Sequence, residues 1–86
     1  MELKQFKISV LPLRNKLLNY ARKLTESPDD AEDAVQEVLL KLWNKRLELE
    51  QYRNIEAFAI TMTHNLCMDM WRTRHTASVP LEYVQD

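Results

Sequence analysis

The fold is decided by the stretch Ser27-Pro28-Asp29-Asp30-Ala31-Glu32-Asp33-Ala34-Val35-Gln36-Glu37-Val38-Leu39-Leu40-Lys41-Leu42-Trp43. Ser27 suits a helix N-cap, Pro28 suits the first helical position, and the acids that follow suit the positive end of the helix dipole. Six apolar side chains then recur at intervals of one, three and four: Ala31, Ala34, Val35, Val38, Leu39 and Leu42. The pattern predicts a helix from Pro28 to about Arg46 with one buried stripe, flanked by Trp43.

A helical segment is predicted on either side of this stretch. The first runs from Leu3 to Thr25 and is bent at Pro12, because proline removes a backbone donor and clashes with the preceding turn. After a polar connection, another helix starts at the cap residue Asn54 and ends near His75. It carries one apolar stripe of Ile55, Ala59, Met62, Leu66 and Met70, and a second of Ile60, Cys67 and Trp71.

Composition supports an all-α fold. The chain has 86 residues, no Gly and three Pro, whereas hairpin sheets need many residues that tolerate positive φ. We expect a compact bundle of three helices, or four if the bend at Pro12 divides the first segment. Residues 1–75 form the predicted domain, and residues 76–86 are expected to begin an interdomain linker.

Charge and cysteine content narrow the class of protein. The single cysteine excludes an internal disulfide and predicts a cytoplasmic location, and no stretch is apolar enough to span a membrane. The net charge of −1 argues against a freestanding duplex-DNA binder. Residues 1–25 carry six bases and one acid, whereas residues 26–37 carry six acids and no base. This uneven distribution fits two partners of different charge, or an ordinary solvated surface.

The outer face of the second predicted helix holds the first candidate site. Asp33, Gln36, Glu37 and Leu40 point away from the buried stripe. A solvated face with a Glu37–Lys41 ion pair would explain them, as would a docking surface for a basic partner helix. The polar sector of the last helix is the second candidate: Thr61, His64, Asn65, Met68, Asp69, Arg72 and His75.

Catalytic and metal sites are not expected. His64 and Cys67 are three residues apart on one helix, but a structural zinc site needs four ligands. No nucleophile–base set and no glycine-rich phosphate loop is visible. The sequence therefore predicts a protein that is not an enzyme and uses no cofactor.

Two motifs resemble the extracytoplasmic-function (ECF) group of bacterial sigma factors. The first is the family's acidic helix pattern, kept here as Asp30-Ala31-Glu32-Asp33, Gln36-Glu37 and Trp43. The second is Asn65, Asp69, Arg72 and Arg74, similar to the family's N-x-x-x-D-x-x-R-x-R ending. The resemblance covers roughly residues 5–75, the domain that the family calls region 2.

The resemblance implies two partners and a site for each. The family's acidic helix docks on the coiled-coil clamp helices of the largest subunit of core RNA polymerase, which assigns that role to Asp33, Gln36 and Glu37, beside Leu40. The following loop and helix grip the non-template strand of the promoter −10 element and flip out one base. The loop corresponds to residues 48–54, and the candidate DNA-binding residues are Arg53, Asn54, His64, Asn65, Arg72 and Arg74. An anti-sigma factor is a further expected partner.

The chain departs from the family pattern in its aromatic and basic residues. Where the family has Trp-Leu at the start of the last helix, this chain has Phe58-Ala59. Four positions that are often basic in the family are occupied here by Thr61, His64, Thr73 and His75. Because the family's second, helix-turn-helix domain is absent after Asp86, we expect the chain to be an excerpt of a longer factor. The alternative is a helical protein-interaction module, a sigma-like regulator that binds no DNA.

Overall fold

A computed structural model describes residues 1–76 of the chain. It contains four α-helices: α1 (Leu3–Ser9), α2 (Arg14–Thr25), α3 (Pro28–Asn44) and α4 (Ile55–Thr76). Two short 3₁₀ turns, Leu11–Leu13 and Leu49–Gln51, precede α2 and α4. Residues 1–76 contain no strand, so the all-α prediction is confirmed, in its four-helix form. Of the predicted linker, only Thr76 at the end of α4 lies within the described residues.

Proline accounts for the separation of α1 from α2. Pro12 lies inside the 3₁₀ turn, where a missing N–H is tolerated. The turn changes the direction of the chain so that α1 packs against the C-terminal end of α3. There the rings of Phe6 and Trp43 meet edge to face, with centroids 5.1 Å apart. Val10, at the bend, is fully buried.

The connection between α2 and α3 is short and tightly bonded. Glu26 adopts the left-handed conformation, with a φ of 57°, and ends α2. The Thr25 hydroxyl donates to the carbonyl of Ala21 at 2.9 Å and accepts from the Ser27 N–H. Ser27 caps α3 as predicted, because its hydroxyl accepts from the Asp30 N–H at 3.3 Å. The chain therefore reverses within two residues and sets α3 beside α2.

The core lies where α2, α3 and α4 pack against one another. Its buried apolar residues are Phe6, Val10, Leu17, Leu18, Ala21, Ala31, Ala34, Val35, Val38, Leu42, Leu49, Ala59 and Cys67. Thr63 is also buried, which polarity alone does not predict, and its hydroxyl donates to the carbonyl of Ala59 at 2.8 Å. Trp71 was predicted on an apolar stripe but is exposed, so that part of the prediction is wrong.

Within residues 1–76, three ion pairs join different helices at the rim of this core. Arg14 of α2 contacts Glu32 of α3 at 2.5 Å, and Lys16 of α2 contacts Glu56 of α4 at 3.0 Å. The third pair joins Arg74 of α4 to an acid of α3. Exposed pairs of this kind contribute at most about 1 kcal/mol each, so their share of the stability is small.

Two further properties of the described residues concern the buried cysteine and the apolar character of the helices. Burial raises the pKa of the Cys67 thiol, and the nearby charge of Asp30 raises that pKa further, so Cys67 stays protonated. No helix within residues 1–76 combines the length and the apolar character that a membrane span requires.

Candidate functional site

The outer face of α3 is exposed along its length. Asp33, Gln36 and Leu40 lie within about 60° of one another around the helix axis, and Glu37 lies at the edge of this sector. All four side chains are exposed, and that of Leu40 is 59% exposed. We call these four residues the α3 face. The structure therefore brings together every residue predicted to bind polymerase.

The ion pair predicted by the solvated-surface alternative is also present. The Nζ atom of Lys41 lies 3.8 Å from a carboxylate oxygen of Glu37. A pair of this kind contributes only about 0.3–0.5 kcal/mol, because both groups remain hydrated. It leaves Glu37 able to accept hydrogen bonds from another partner. The two explanations of the α3 face are thus compatible.

The connection from α3 to α4 is more ordered than its polar sequence predicts. Turns over residues 45–48 lead into the 3₁₀ turn, and Leu49 is fully buried in the core. The two acids of this connection each face a cation: Glu48 lies 3.9 Å from Lys45, and Glu50 lies 3.4 Å from the α-amino group of Met1. The loop is therefore anchored, and its negative charges are partly balanced.

The residues at the end of the loop cap α4 and pack against its first turns. The Asn54 side-chain carbonyl accepts a hydrogen bond from the Ala57 N–H at 2.9 Å, which confirms the predicted cap. The rings of Tyr52 and Phe58 lie against each other, with centroids 4.5 Å apart. Arg53 is exposed, and residues 1–76 offer it no ion-pair partner. Within residues 1–76, the loop thus presents an exposed cation without an ion-pair partner, next to a fixed aromatic pair.

The exposed side of α4 carries three of the predicted DNA-binding residues. Asn65 and Arg72 lie within about 20° of each other around the axis, with exposed His64 at the edge of the same sector. Arg72 forms an ion pair with Asp69 one turn earlier. From Asn54 to Arg72 the helix advances about 27 Å. We call residues 48–54 together with this side of α4 the loop-and-α4 surface.

Arg74 is set apart from this surface. It is two residues beyond Arg72 and therefore points about 160° away around the axis. Its guanidinium pairs with the Asp30 carboxylate of α3. The two groups border a cleft of about 180 Å³ between α4 and the α2–α3 turn, lined by Thr25, Glu26, Asp30, Met70, Trp71 and Arg74. Helix geometry thus places His64, Asn65 and Arg72 on one side of α4 and Arg74 on another, while Arg53 and Asn54 lie at the start of the helix.

Sequence reasoning missed the residues that hold the loop. Leu49 follows a polar run without helical periodicity, so no pattern marks it as buried. The contact between Tyr52 and Phe58 spans the helix cap, and its spacing resembles a hydrophobic staple shifted by one residue. That spacing could have revealed the pair. Within residues 1–76, no group of three or more His, Cys, Asp or Glu side chains is arranged to hold a metal ion.

Comparison with known proteins gives one family and one curated relative. The family model described as Sigma-70 region 2 matches residues 10–76. The chain is 28% identical over 85 residues to the RNA polymerase sigma-E factor of Streptomyces coelicolor. That alignment covers 99% of the chain but 48% of the relative, so the chain spans about half of the relative's length. The search of solved structures found no match.

Proposed function

The chain belongs to the sigma-70 region 2 family, and we propose that it joins core RNA polymerase and opens the promoter −10 element. Its ECF-type motifs agree with the match to a sigma-E factor. Sigma factors act in transcription initiation and are not enzymes, so family membership confirms the prediction that the chain is not an enzyme. The observation that carries the proposal is the exposed α3 face inside the matched region.

The α3 face suits a basic helical partner. Its acids are exposed, and Leu40 adds an apolar spot beside them. Carboxylates that accept hydrogen bonds from Arg or Lys form shorter and stronger bonds than neutral groups do. A buried apolar centre within a polar rim is the usual composition of a protein interface. The partner on this account is the clamp-helix coiled coil of the largest polymerase subunit.

Co-purification tests the docking step. A tagged chain should retain core polymerase on an affinity column at moderate salt. The same chain with Leu40→Asp should lose it, because a new charge would be buried against the partner. A matched Leu3→Asp variant, at an exposed leucine of α1, should keep binding. If the unaltered chain retains no polymerase, the proposal fails.

The surface formed by the loop and α4 suits a single DNA strand. Arg53 and Arg72 would contact phosphates, and His64 and Asn65 would face the strand between them. Flipping a base out of the duplex costs a few kcal/mol, which contacts to the exposed base recover. The ordered loop supplies a fixed surface for those contacts. Once polymerase holds the strand nearby, its effective concentration rises without any new contact.

Strand binding is tested in the assembled complex. Core polymerase carrying the chain should bind a labelled single-stranded −10 oligonucleotide more tightly than core polymerase alone. An Arg53→Gln variant should weaken that binding while polymerase retention stays unchanged.

A helical interaction module without DNA binding is the second candidate function. The small number of cations on the loop-and-α4 surface and the ion pair of Arg74 with Asp30 favour it. This alternative predicts that the chain binds polymerase but adds nothing to the affinity for single-stranded DNA. The oligonucleotide measurement therefore separates the two functions.

A further inference from the structure

The outer side of α1 carries an exposed aliphatic residue beside two lysines. Ile8 lies about 160° from the buried Phe6 around the helix axis, and it is 62% exposed. Lys4 and Lys7 lie within about 100° of Ile8 on the same side of the helix. Both lysines are exposed, and within residues 1–76 neither forms an ion pair. We call Lys4, Lys7 and Ile8 the α1 face, which is a basic surface with an apolar spot.

The α3 face has the same build with the opposite charge. Leu40 is 59% exposed and lies beside the exposed acids Asp33 and Glu37. The ion pair of Glu37 with Lys41 is exposed and weak, so it does not exclude a second partner. Protein surfaces recognise each other when apolar centres meet and the surrounding charges are of opposite sign. The α1 face and the α3 face are complementary in both respects.

The two faces cannot meet within one chain. The α1 helix packs against the C-terminal end of α3 through the rings of Phe6 and Trp43, and Ile8 points away from that contact. We infer that the α1 face of one copy of the chain docks on the α3 face of a second copy. Ile8 and Leu40 form the centre of this contact, and the two lysines pair with the two acids. Because the faces differ, each copy keeps one face open, and assembly can continue beyond a dimer.

The contact between copies is expected to be weak and sensitive to salt. The α1 helix has only seven residues, so the interface falls at the small end of those that hold transient complexes. Its charges remain near solvent, and the Debye length shrinks from about 10 Å at 0.1 M salt to about 3 Å at 1 M. Association also covers the α3 face and so withholds the chain from polymerase. Only this last consequence rests on the proposed function.

Sedimentation equilibrium of the chain alone tests the contact, at concentrations up to about 1 mM, which reach weak affinities. The unaltered chain should associate, and less so as the salt is raised. Lys4→Glu combined with Lys7→Glu should weaken association at least about tenfold, because like charges then face each other. Asp33→Lys combined with Glu37→Lys should weaken it similarly. An equimolar mixture of the two variants should associate again, because each reversed face then meets an opposite charge.

A matched control separates the α1 face from net charge. Arg22→Glu combined with Lys23→Glu makes the same change of charge at exposed cations of α2 and should leave association unchanged. Circular dichroism checks each fold, and Lys4→Gln combined with Lys7→Gln replaces a reversal that does not fold, with a smaller expected loss. A monomeric unaltered chain would overturn the inference and leave the proposed function intact. A mixture that fails to associate, or an equal loss in the α2 control, would overturn it as well.

Discussion

The α3 face and the loop-and-α4 surface are built in different ways. The first lies on one helix, and its four residues share a side because helical spacing places them there. The second extends over about 27 Å and combines a loop with one side of α4. Its loop owes its position to Leu49 and to the contact of Tyr52 with Phe58. Local spacing alone therefore determines which residues share the α3 face, whereas the position of the loop depends on its contacts with the core and with α4.

The largest effect should come from removing the anchor of the loop. Leu49→Ala should lower the free energy of unfolding by about 2–5 kcal/mol, because a fully buried leucine is replaced by a cavity. Denaturant unfolding followed by circular dichroism measures this change.

Leu47→Ala is the matched control, since this leucine is 74% exposed. Its effect should stay within about 0.5 kcal/mol. Equal effects of the two variants on the free energy of unfolding would mean that Leu49 does not anchor the loop. The loop would then not differ from the α3 face in depending on a buried anchor.

A smaller effect is expected on base preference. We predict that residues 48–54 carry the specificity, so exchanging them for the loop of another ECF sigma factor should change the preferred −10 base. Leu49 and Asn54 should be kept, because they hold the loop and cap α4. A changed contact should alter the preference by about 1–3 kcal/mol, the usual cost of one mismatched base.

A transcription assay on promoters that differ at single −10 positions measures the preference. A fold control by circular dichroism accompanies the exchange. An unchanged preference in a folded variant would move the specificity onto α4.

The smallest expected effect is a difference between Arg72 and Arg74 in how they change the salt dependence of strand binding. Each phosphate contact to a single strand adds about −0.7 to the slope of log affinity against log salt. Arg72→Gln should make the slope shallower by about 0.7, whereas Arg74→Gln should change it less, because Arg74 pairs with Asp30 on another side of α4. Titrations of the labelled strand at several salt concentrations give both slopes.

Equal changes in the two slopes would show that the strand also passes the cleft beside Arg74. In that case the elongated surface would continue around the end of α4, and all six predicted DNA-binding residues would belong to it.

Helix positions could be predicted from sequence because their signals are local. The cap at Ser27, the proline at position 28 and the apolar spacing that follows define α3, whose end at Asn44 comes two residues before the predicted one. The bend at Pro12 was likewise predicted from one residue. These features depend on neighbours within a few positions of the chain.

Contacts that join distant segments could not be predicted in the same way. Burial of Leu49 depends on how α2 and α3 leave space for it, and the Asp30–Arg74 pair spans 44 positions. Thr63 can be buried because its hydroxyl donates to a carbonyl of its own helix, and residue polarity does not reveal this bond. The exposure of the α3 face could therefore be predicted from the sequence, whereas the contacts that hold the loop could not.

The most direct test of the account concerns the α3 face. Core polymerase retention should be measured for the unaltered chain, for Gln36→Ala combined with Glu37→Ala, and for Asn19→Ala combined with Lys23→Ala on the exposed side of α2. The first double variant should bind at least about 30-fold more weakly, because truncating one side of a buried charged contact costs 2–5 kcal/mol. Its helical content and stability should stay unchanged, and the α2 variant should bind normally. Full retention by the folded Gln36→Ala, Glu37→Ala variant would contradict the account.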